Sequence, residues 1–302
     1  MTEVIEAGAP LRSARLRISA ALWRRPWLKL SLLLAAPVLA FAVVYLGALV
    51  SLFVSAFWQI DAFTAAVVHN WTLDNFKTLW NDHTYWRITG RTIGIAAAVT
   101  VTDAVLAFPL AYFMARLATP RLRALLFIAV LLPLWSSYLV RIYAWRTILA
   151  KDGALNWVLN GIGLPDTGLA YTNTAMWIVF SYVWLPFMVL PVYAALERIP
   201  DSYLEASQDL GAKGSRTLRS VILPLALPGV VAGSIFTFSL TLGDFITPAL
   251  VGGAGSSFIG NVVHDKVGQP DVPFAAAFAT VPVVVMGIYL LIARRLGAFE
   301  AV

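Results

Sequence analysis

Six long apolar stretches dominate this sequence and constrain its fold more than any other feature. Each is at least as long as the roughly 20 residues that an α-helix needs to cross the hydrocarbon core of a bilayer. Because 60% of the 302 residues are hydrophobic and only 13% are charged, an ordinary soluble domain is excluded. The sequence therefore predicts an all-α polytopic membrane protein with six transmembrane helices, near 30–57, 92–115, 122–149, 174–196, 225–251 and 274–293.

Lysine and arginine are unequally distributed between the loops that join these stretches. The termini and the loops on their side hold 15, whereas the opposite loops hold five, or seven when Arg141 and Arg146 in the outer half of the third stretch are included. Basic residues are retained on the cytoplasmic side of a membrane. We therefore expect both termini and the 197–224 loop to be cytoplasmic. The net charge of +6 is then explained by topology, and nucleic-acid binding is not required.

The N-terminal segment is polar and basic. Residues 1–29 contain six lysines and arginines together with Trp23 and Trp27, a pattern typical of a segment lying along an anionic inner leaflet. The apolar stretch that follows is too long for the core of a cleaved signal peptide, so we expect a retained first span. The predicted organisation is a basic cytoplasmic tail over 1–29 and a transmembrane domain over 30–302.

The longest polar passage on the cytoplasmic side is predicted to form two short helices joined by a glycine. Ser202 is the expected N-cap of the first helix, with Glu205 completing a capping box. Gly211 fits the left-handed position that ends this helix. Ser215 is expected to cap the second helix, and Pro224 to stop or kink it. A basic helix–glycine–helix elbow between two membrane spans indicates a binding partner in the cytoplasm.

Motifs for catalysis, nucleotide binding and metal binding are missing from the sequence. The passage Gly211-Ala-Lys213-Gly214-Ser has the wrong spacing for a phosphate-binding loop. The H-E-x-x-H and G-x-S-x-G motifs are absent, as is cysteine. The three histidines are scattered over predicted outer loops. We therefore expect no catalytic residues, no metal site and no ATP site in this chain.

Three charged residues lie inside predicted spans, where each is costly unless it faces protein or water. Asp103 falls near the middle of the second span, Arg141 in the outer half of the third, and Asp244 near the outer end of the fifth. Two interpretations remain open. The charges are satisfied internally, for instance by an ion pair between Arg141 and Asp244, or the acids line a path for a cationic solute. We hypothesise that Asp103 faces a translocation cavity, and we favour a structural or gating role for the other two.

The spacing within the cytoplasmic elbow resembles the coupling-loop signature of the membrane subunits of ATP-driven bacterial importers. Glu205-Ala206 is followed by Gly211 and, after nine residues, by Val221-x-Leu223-Pro224, while Ser207 replaces the usual second alanine. The resemblance implies that the loop docks a short helix on an ATP-hydrolysing subunit. The residues implied in this coupling are Glu205, Ala206, Ser207, Gly211, Leu223 and Pro224.

Three further segments resemble the spermidine/putrescine-type importer permeases and, within that group, the first of the two membrane subunits. They are residues 132–145, 242–253 and 259–261. One departure is Asp265-Lys266-Val267, where a Gln-Phe-like ending is expected near the outer gate. The resemblance implies the type I ABC importer permease fold. The candidates for a translocation path or gate are Asp103, Trp135, Tyr138, Arg141, Tyr143 and Asp244.

The same resemblance implies the partners and the solute. The chain is expected to pair with a second permease in the bacterial inner membrane and to work with two copies of a cytoplasmic ATPase and an extracytoplasmic solute-binding protein. ATP and Mg²⁺ belong to the partner ATPase, and no cofactor is expected in this chain. The expected solute is a small cation, specifically a polyamine such as spermidine or putrescine, moved by alternating access. An opine, an amino acid-like amine, an inorganic anion or iron remains an alternative, as does an ion-coupled secondary transporter.

Overall fold

The computed structural model describes residues 26–61 and 63–295, which fall into two units that divide after Ser55. In the first unit, helix α1 (Pro26–Ala40) continues through a π-helical turn, π1 (Phe41–Leu46), into α2 (Gly47–Ser55). Residues 26–29 of the tail predicted over 1–29 are thus helical. The remainder of that tail, residues 1–25, lies outside the described residues.

The second unit contains one short hairpin and a series of helices. Strands β1 (Gln59–Ile60) and β2 (Val67–Val68) pair antiparallel. The helical elements that follow are α3 (Asp74–Asn81), α4 (His83–Tyr112), π2 (Phe113–Leu117), α5 (Pro120–Trp135), α6 (Tyr138–Ile148), α7 (Ala154–Gly161), α8 (Asn173–Glu197), α9 (Asp201–Asp209), α10 (Gly214–Thr217), π3 (Leu218–Ile222), α11 (Leu223–Leu242), α12 (Ile246–Val251), α13 (Ile259–Gly268) and α14 (Val272–Arg295).

The described residues contain five helices that are long and apolar enough to cross a membrane, or six if one bent pair of helices forms a single span. The bent pair corrects the prediction of one continuous third span over 122–149. Helices α5 and α6 meet at an angle of 95° because Ser136 and Ser137 both have extended ψ values, 150° and 137°. The predicted fifth span is also shorter, since it ends at Leu242 and α12 follows as a separate helix.

The second span begins earlier than the sequence predicts. Helix α4 starts at His83 rather than near Thr92, so this histidine belongs to the helix and not to a loop. Asp82 is the N-cap, and its carboxylate accepts a hydrogen bond of 2.8 Å from the backbone N–H of Thr84. The bond satisfies one of the free N–H groups of the first turn.

Helix α8 is the centre of the second unit, and α4 and α11 pack along it. The Gly229-x-x-x-Gly233 pattern on α11 permits close approach of another helix, and α8 is that helix. A Cβ atom at Gly229 would lie 2.5 Å from the Cβ of Ala195 and 2.6 Å from the carbonyl oxygen of Pro191. The backbones of α8 and α11 are thus in close contact within two turns of the end of α8 that leads into the polar elbow.

Candidate functional site

The polar elbow lies between α8 and α11 and has the predicted helix–glycine–helix form. Its first helix, α9, begins at Asp201 with Pro200 as N-cap, so the predicted N-cap at Ser202 and its capping box are wrong. Proline has no N–H, and its φ is fixed near the value found at a helix start. The helix can therefore begin two residues earlier than predicted. The second helix begins at Gly214 with Lys213 as N-cap, so the predicted N-cap at Ser215 is wrong, and no side chain caps this helix.

Gly211 ends α9 in the left-handed conformation that the sequence predicts, with φ of +76°. Its N–H donates to the carbonyl of Gln208 at 2.8 Å, and the N–H of Ala212 donates to the carbonyl of Ser207 at 3.0 Å. These two bonds form a Schellman motif, which satisfies carbonyls that a helix end would otherwise leave free. The glycine therefore fixes the angle between the two arms of the elbow.

The two arms are also joined through side chains. The hydroxyls of Ser207 and Thr217 lie 3.0 Å apart, and Thr217 is buried. Glu205 and Ala206 are exposed on α9, and the side chain of Leu210 is 88% exposed. The arms enclose a cavity of about 470 Å³. Its lining includes Tyr203, Ala206, Ser207, Leu210, Arg216 and Val221.

Pro224 does not stop the second helix of the elbow, which was one of the two predicted effects. Residues Gly214–Leu242 form one continuous helical rod, in which α10 leads through π3 into α11 with Leu223 at its start. A proline inside an α-helix clashes with the carbonyl of the fourth preceding residue and cannot donate a hydrogen bond. The wider π turn at 218–222 precedes this position, so the rod can accommodate the proline without a break.

At the other end of α11, Tyr138 and Asp244 lie side by side. The hydroxyl of Tyr138 donates to the carboxylate of Asp244 and lies 2.8 Å from the hydroxyl of Thr247. The other carboxylate oxygen of Asp244 accepts the backbone N–H groups of Ile246, at 2.7 Å, and Thr247, at 2.9 Å. The carboxylate of Asp244 thus accepts three hydrogen bonds just before α12 begins.

The predicted ion pair between Arg141 and Asp244 is wrong. Arg141 forms no ion pair within the described residues, and the Nε and Nη1 atoms of its guanidinium have no hydrogen-bonding partner. Its guanidinium instead lies over the ring of Tyr138, 5.9 Å from the centroid. The two charges are at similar depth, but Tyr138 occupies the position beside the carboxylate.

Asp103 is fully buried between α4 and α8, beside the hydroxyl of Ser181. Neither carboxylate oxygen makes a hydrogen bond, and the Ser181 hydroxyl is also unpartnered. A buried polar group without a partner is costly, and more so when charged. The carboxyl does not open on solvent here, so its exposure to a translocation path remains a prediction.

The break between α5 and α6 carries the remaining candidates. Trp135 is 90% exposed at the end of α5, and Tyr143 is 51% exposed on α6. The structure therefore brings Tyr138, Arg141 and Asp244 into one cluster, and it places Trp135 and Tyr143 on the exposed surface of the same two helices. Asp103 makes no hydrogen bond or ion pair with any of them within the described part of the chain.

Sequence reasoning missed Thr247 and Ser181. Asp244 itself carries a recognisable signal, since aspartate is a residue type typical of helix starts, and Thr247 follows in the first turn. No comparable signal marks Ser181, because its position beside Asp103 depends on how α8 is rotated against α4. Within residues 26–61 and 63–295 no three His, Asp or Glu side chains are arranged to hold a metal ion.

Comparison with known proteins agrees with this architecture. Residues 107–298 match the family described as the binding-protein-dependent transport system inner membrane component. The inner membrane ABC transporter permease protein YdcU of Escherichia coli K12 is 47% identical, and the alignment covers 97% of each chain. The spermidine/putrescine transport system permease protein PotB of Salmonella typhimurium SL1344 is 37% identical over 74% of this chain and 78% of that protein.

A solved structure supports the fold independently of sequence identity. A chain of a bacterial alginate ABC transporter, in complex with an alginate pentasaccharide-bound periplasmic protein, matches with a TM-score of 0.72. It is 17% identical, and the match covers 91% of this chain and 95% of that one. The family assignment removes the alternative of an ion-coupled secondary transporter. The chain belongs to the binding-protein-dependent inner membrane components, and is thus a permease of the ABC transporters.

Proposed function

We propose that this permease passes a polyamine of the spermidine or putrescine class across the inner membrane, as the first of two permease subunits of an importer. The observation that carries the proposal is the 37% identity to the spermidine/putrescine permease over 74% of the chain. The relative with 47% identity has a name that specifies no solute. Residue chemistry supplies the second line of support.

Alkylammonium groups bind carboxylates and the faces of aromatic rings. The candidate residues provide both kinds of group. Trp135 and Tyr143 are exposed aromatic side chains at the α5–α6 break, whereas Asp103 is an acid in the second span and Asp244 an acid just beyond the end of the fifth. In the assembled importer, we infer that Asp103 lines the path and that the Tyr138–Asp244 pair forms part of a gate.

We further propose that residues 197–224 dock on a cytoplasmic ATPase. The 88% exposed side chain of Leu210 lies at the elbow, beside a cavity that a partner surface can fill. Docking would remove this apolar side chain from water, which favours association. ATP and Mg²⁺ then bind to two copies of that ATPase, and an extracytoplasmic binding protein delivers the solute.

ATP hydrolysis by the purified complex tests both parts of this proposal. The permease is isolated in mild detergent with its ATPase and binding protein, and hydrolysis is measured with putrescine, with spermidine and without solute. We expect hydrolysis to rise only when a polyamine and the binding protein are both present. An ATPase that co-purifies but ignores polyamines would refute the solute, and absence of any co-purifying ATPase would refute the docking.

The Asp103→Asn variant tests the path. The change keeps the size of the side chain and removes its charge, so we expect polyamine uptake to fall while the amount of protein in the membrane is unchanged. Normal uptake at a normal protein level would show that Asp103 does not face the solute. Ser181→Ala, which removes the neighbouring hydroxyl and keeps the carboxyl, serves as the matched control for disturbance of the α4–α8 contact.

One observation favours a second candidate solute. Arg141 is buried and has two unpartnered guanidinium nitrogens, which are suited to a carboxylate. An opine or another amine with a carboxyl group would use both the acids and this arginine. Stimulation of hydrolysis by such a compound, at concentrations where putrescine has no effect, would favour this candidate over a polyamine.

A further inference from the structure

Arg116 joins three parts of the chain at the base of the elbow. It lies in π2, at the end of the second span, and its side chain is 13% exposed. Its Nη1 atom pairs with the carboxylate of Asp201 at 2.6 Å. Its Nη2 atom donates to the carbonyl of Leu196 at 2.7 Å and to the carbonyl of Ile199. One guanidinium thus contacts the end of α8, the linker and the start of α9.

These contacts lie at the junction between α8 and α9. The last carbonyls of a helix have no partner within that helix, and the Leu196 carbonyl belongs to this group in α8. Only three residues, 198–200, separate α8 from α9. Because Arg116 binds a carbonyl of α8, a carbonyl of the linker and the first side chain of α9, it fixes the direction in which α9 leaves α8.

Arg123 holds π2 in place from the other side. Its Nε donates to the carbonyl of Met114 at 2.9 Å, and its Nη2 to the carbonyl of Ala115 at 3.2 Å. Its Nη1 lies 3.8 Å from the carboxylate of Glu197, which accepts the hydroxyl of Tyr193 at 2.8 Å. The turn that carries Arg116 is therefore itself anchored to the end of α8.

We propose that Arg116 is a positioning residue for energy coupling, which fixes α9 to the second span so that movement of the elbow moves α4 together with α8. The proposal rests on the docking of residues 197–224 on the ATPase. Without Arg116, α9 still docks, but it loses its polar link to the second span and is connected to the membrane spans through its linker, through the packing of Leu204 and through α10. ATP hydrolysis and solute movement then become separated.

The test measures solute taken up per ATP hydrolysed by the whole complex in vesicles. We expect Arg116→Ala to retain the co-purifying ATPase and its basal hydrolysis, and to lower this ratio by about tenfold, because three contacts of a charged group are lost at once. Arg116→Lys keeps the charge beside Asp201 but not the planar fork, so an intermediate ratio is expected. A normal ratio in Arg116→Ala would overturn the proposal.

Arg121 provides the matched control. It is exposed, lies near Arg123 on the same side of the membrane domain, and makes no hydrogen bond or ion pair within the described residues. Arg121→Ala removes the same charge, and we expect its ratio to be normal. A fall equal to that of Arg116→Ala would overturn the proposal, since it would assign the effect to charge alone. If Arg116→Ala does not fold, Arg116→Lys and Asp201→Asn provide the decisive ratios.

A distance measurement separates positioning from a general loss of stability. The chain has no cysteine, so spin labels can be attached at Gln208→Cys on α9 and Arg121→Cys on α5. We expect one narrow distance distribution with Arg116 and a broad one with Arg116→Ala. An unchanged narrow distribution would overturn the proposal.

The Leu210→Asp variant distinguishes failure of this inference from failure of the docking proposal. A charge at this exposed apolar position is expected to release the ATPase. If Leu210→Asp releases it and Arg116→Ala behaves as wild type, only the positioning role is refuted. If Leu210→Asp has no effect on ATPase binding, the docking on which the positioning role rests is refuted.

Discussion

Replacement of Gly211 tests the elbow most directly, because the structure isolates a single cause. Its φ of +76° is unfavourable for any residue with a Cβ atom. A Cβ built at this glycine meets no atom within 4 Å. The cost of a substitution is therefore backbone strain without a steric clash. For an L-residue in the left-handed region, this strain is about 1–2 kcal/mol.

The expected effects follow the backbone preferences of the substituted residue. Asparagine tolerates the left-handed region better than alanine, and a β-branched residue such as valine tolerates it least. A strain of about 1–2 kcal/mol reduces the ratio of bent to unbent elbow by a factor of roughly 5–30. We therefore expect membrane insertion to remain normal in all variants. Uptake per ATP should decrease in the order Gly211, Asn, Ala, Val.

The assay is uptake per ATP hydrolysed, measured beside the protein level in the membrane. Gly214→Ala is the matched control, since a Cβ at Gly214 also meets no atom within 4 Å but its φ is not positive. It should behave as wild type. Unchanged uptake in Gly211→Val would refute the role of the elbow in coupling. A Gly211→Asn variant as defective as Gly211→Val would show that backbone strain does not cause the loss of uptake.

Three further predictions concern stability and are measured as thermal unfolding in detergent. Gly229→Ala overpacks the contact between α8 and α11 at a cost of about 1–3 kcal/mol. Gly287→Ala places its methyl group in open space and should be neutral. Equal unfolding temperatures for these two variants would contradict the packing of α8 on α11. Tyr138→Phe leaves a carboxylate oxygen of Asp244 without its partner, at a cost of about 1–3 kcal/mol; an unchanged unfolding temperature would refute it. The N–H of Thr84 donates to the carboxylate of Asp82 and thereby lowers the pKa of Asp82. The charged cap therefore stabilises α4 at pH values above the ordinary carboxyl pKa, and this stabilisation is lost as pH falls through the lowered pKa. Asp82→Asn should remove this pH dependence of the unfolding temperature.

The features that the sequence predicted well depend on short stretches of chain. The apolar spans follow from local composition, and the bend at Gly211 follows from the conformational freedom of one residue. The break of the third span was not predicted because its proline is a weak signal. Pro133 precedes the break in α5, but Pro186 and Pro191 lie within α8, which remains one helix.

The features that were missed or wrong depend on the rotation of one helix against another. The positions of Arg141 and Asp244 along their predicted spans indicate a similar depth. These positions do not show that Tyr138 lies between the guanidinium and the carboxylate. The contacts of Arg116 with the α8–α9 junction span about 80 residues of sequence. No local pattern encodes such a contact, so in the sequence Arg116 indicates only the topology.

The π turn at 218–222 lets the rod from Gly214 to Leu242 absorb a change of one residue in its length. Each residue of an α-helix adds a rotation of about 100° and a rise of 1.5 Å. A π turn is wider than an α turn and holds one extra residue, so deleting one residue of this turn would restore an α-helix with little change in the direction of the elbow. A deletion on either side of the turn would instead rotate the elbow by about 100° relative to the far end of α11. We therefore expect insertions and deletions to be tolerated in this turn and excluded from the α-helical parts of the rod.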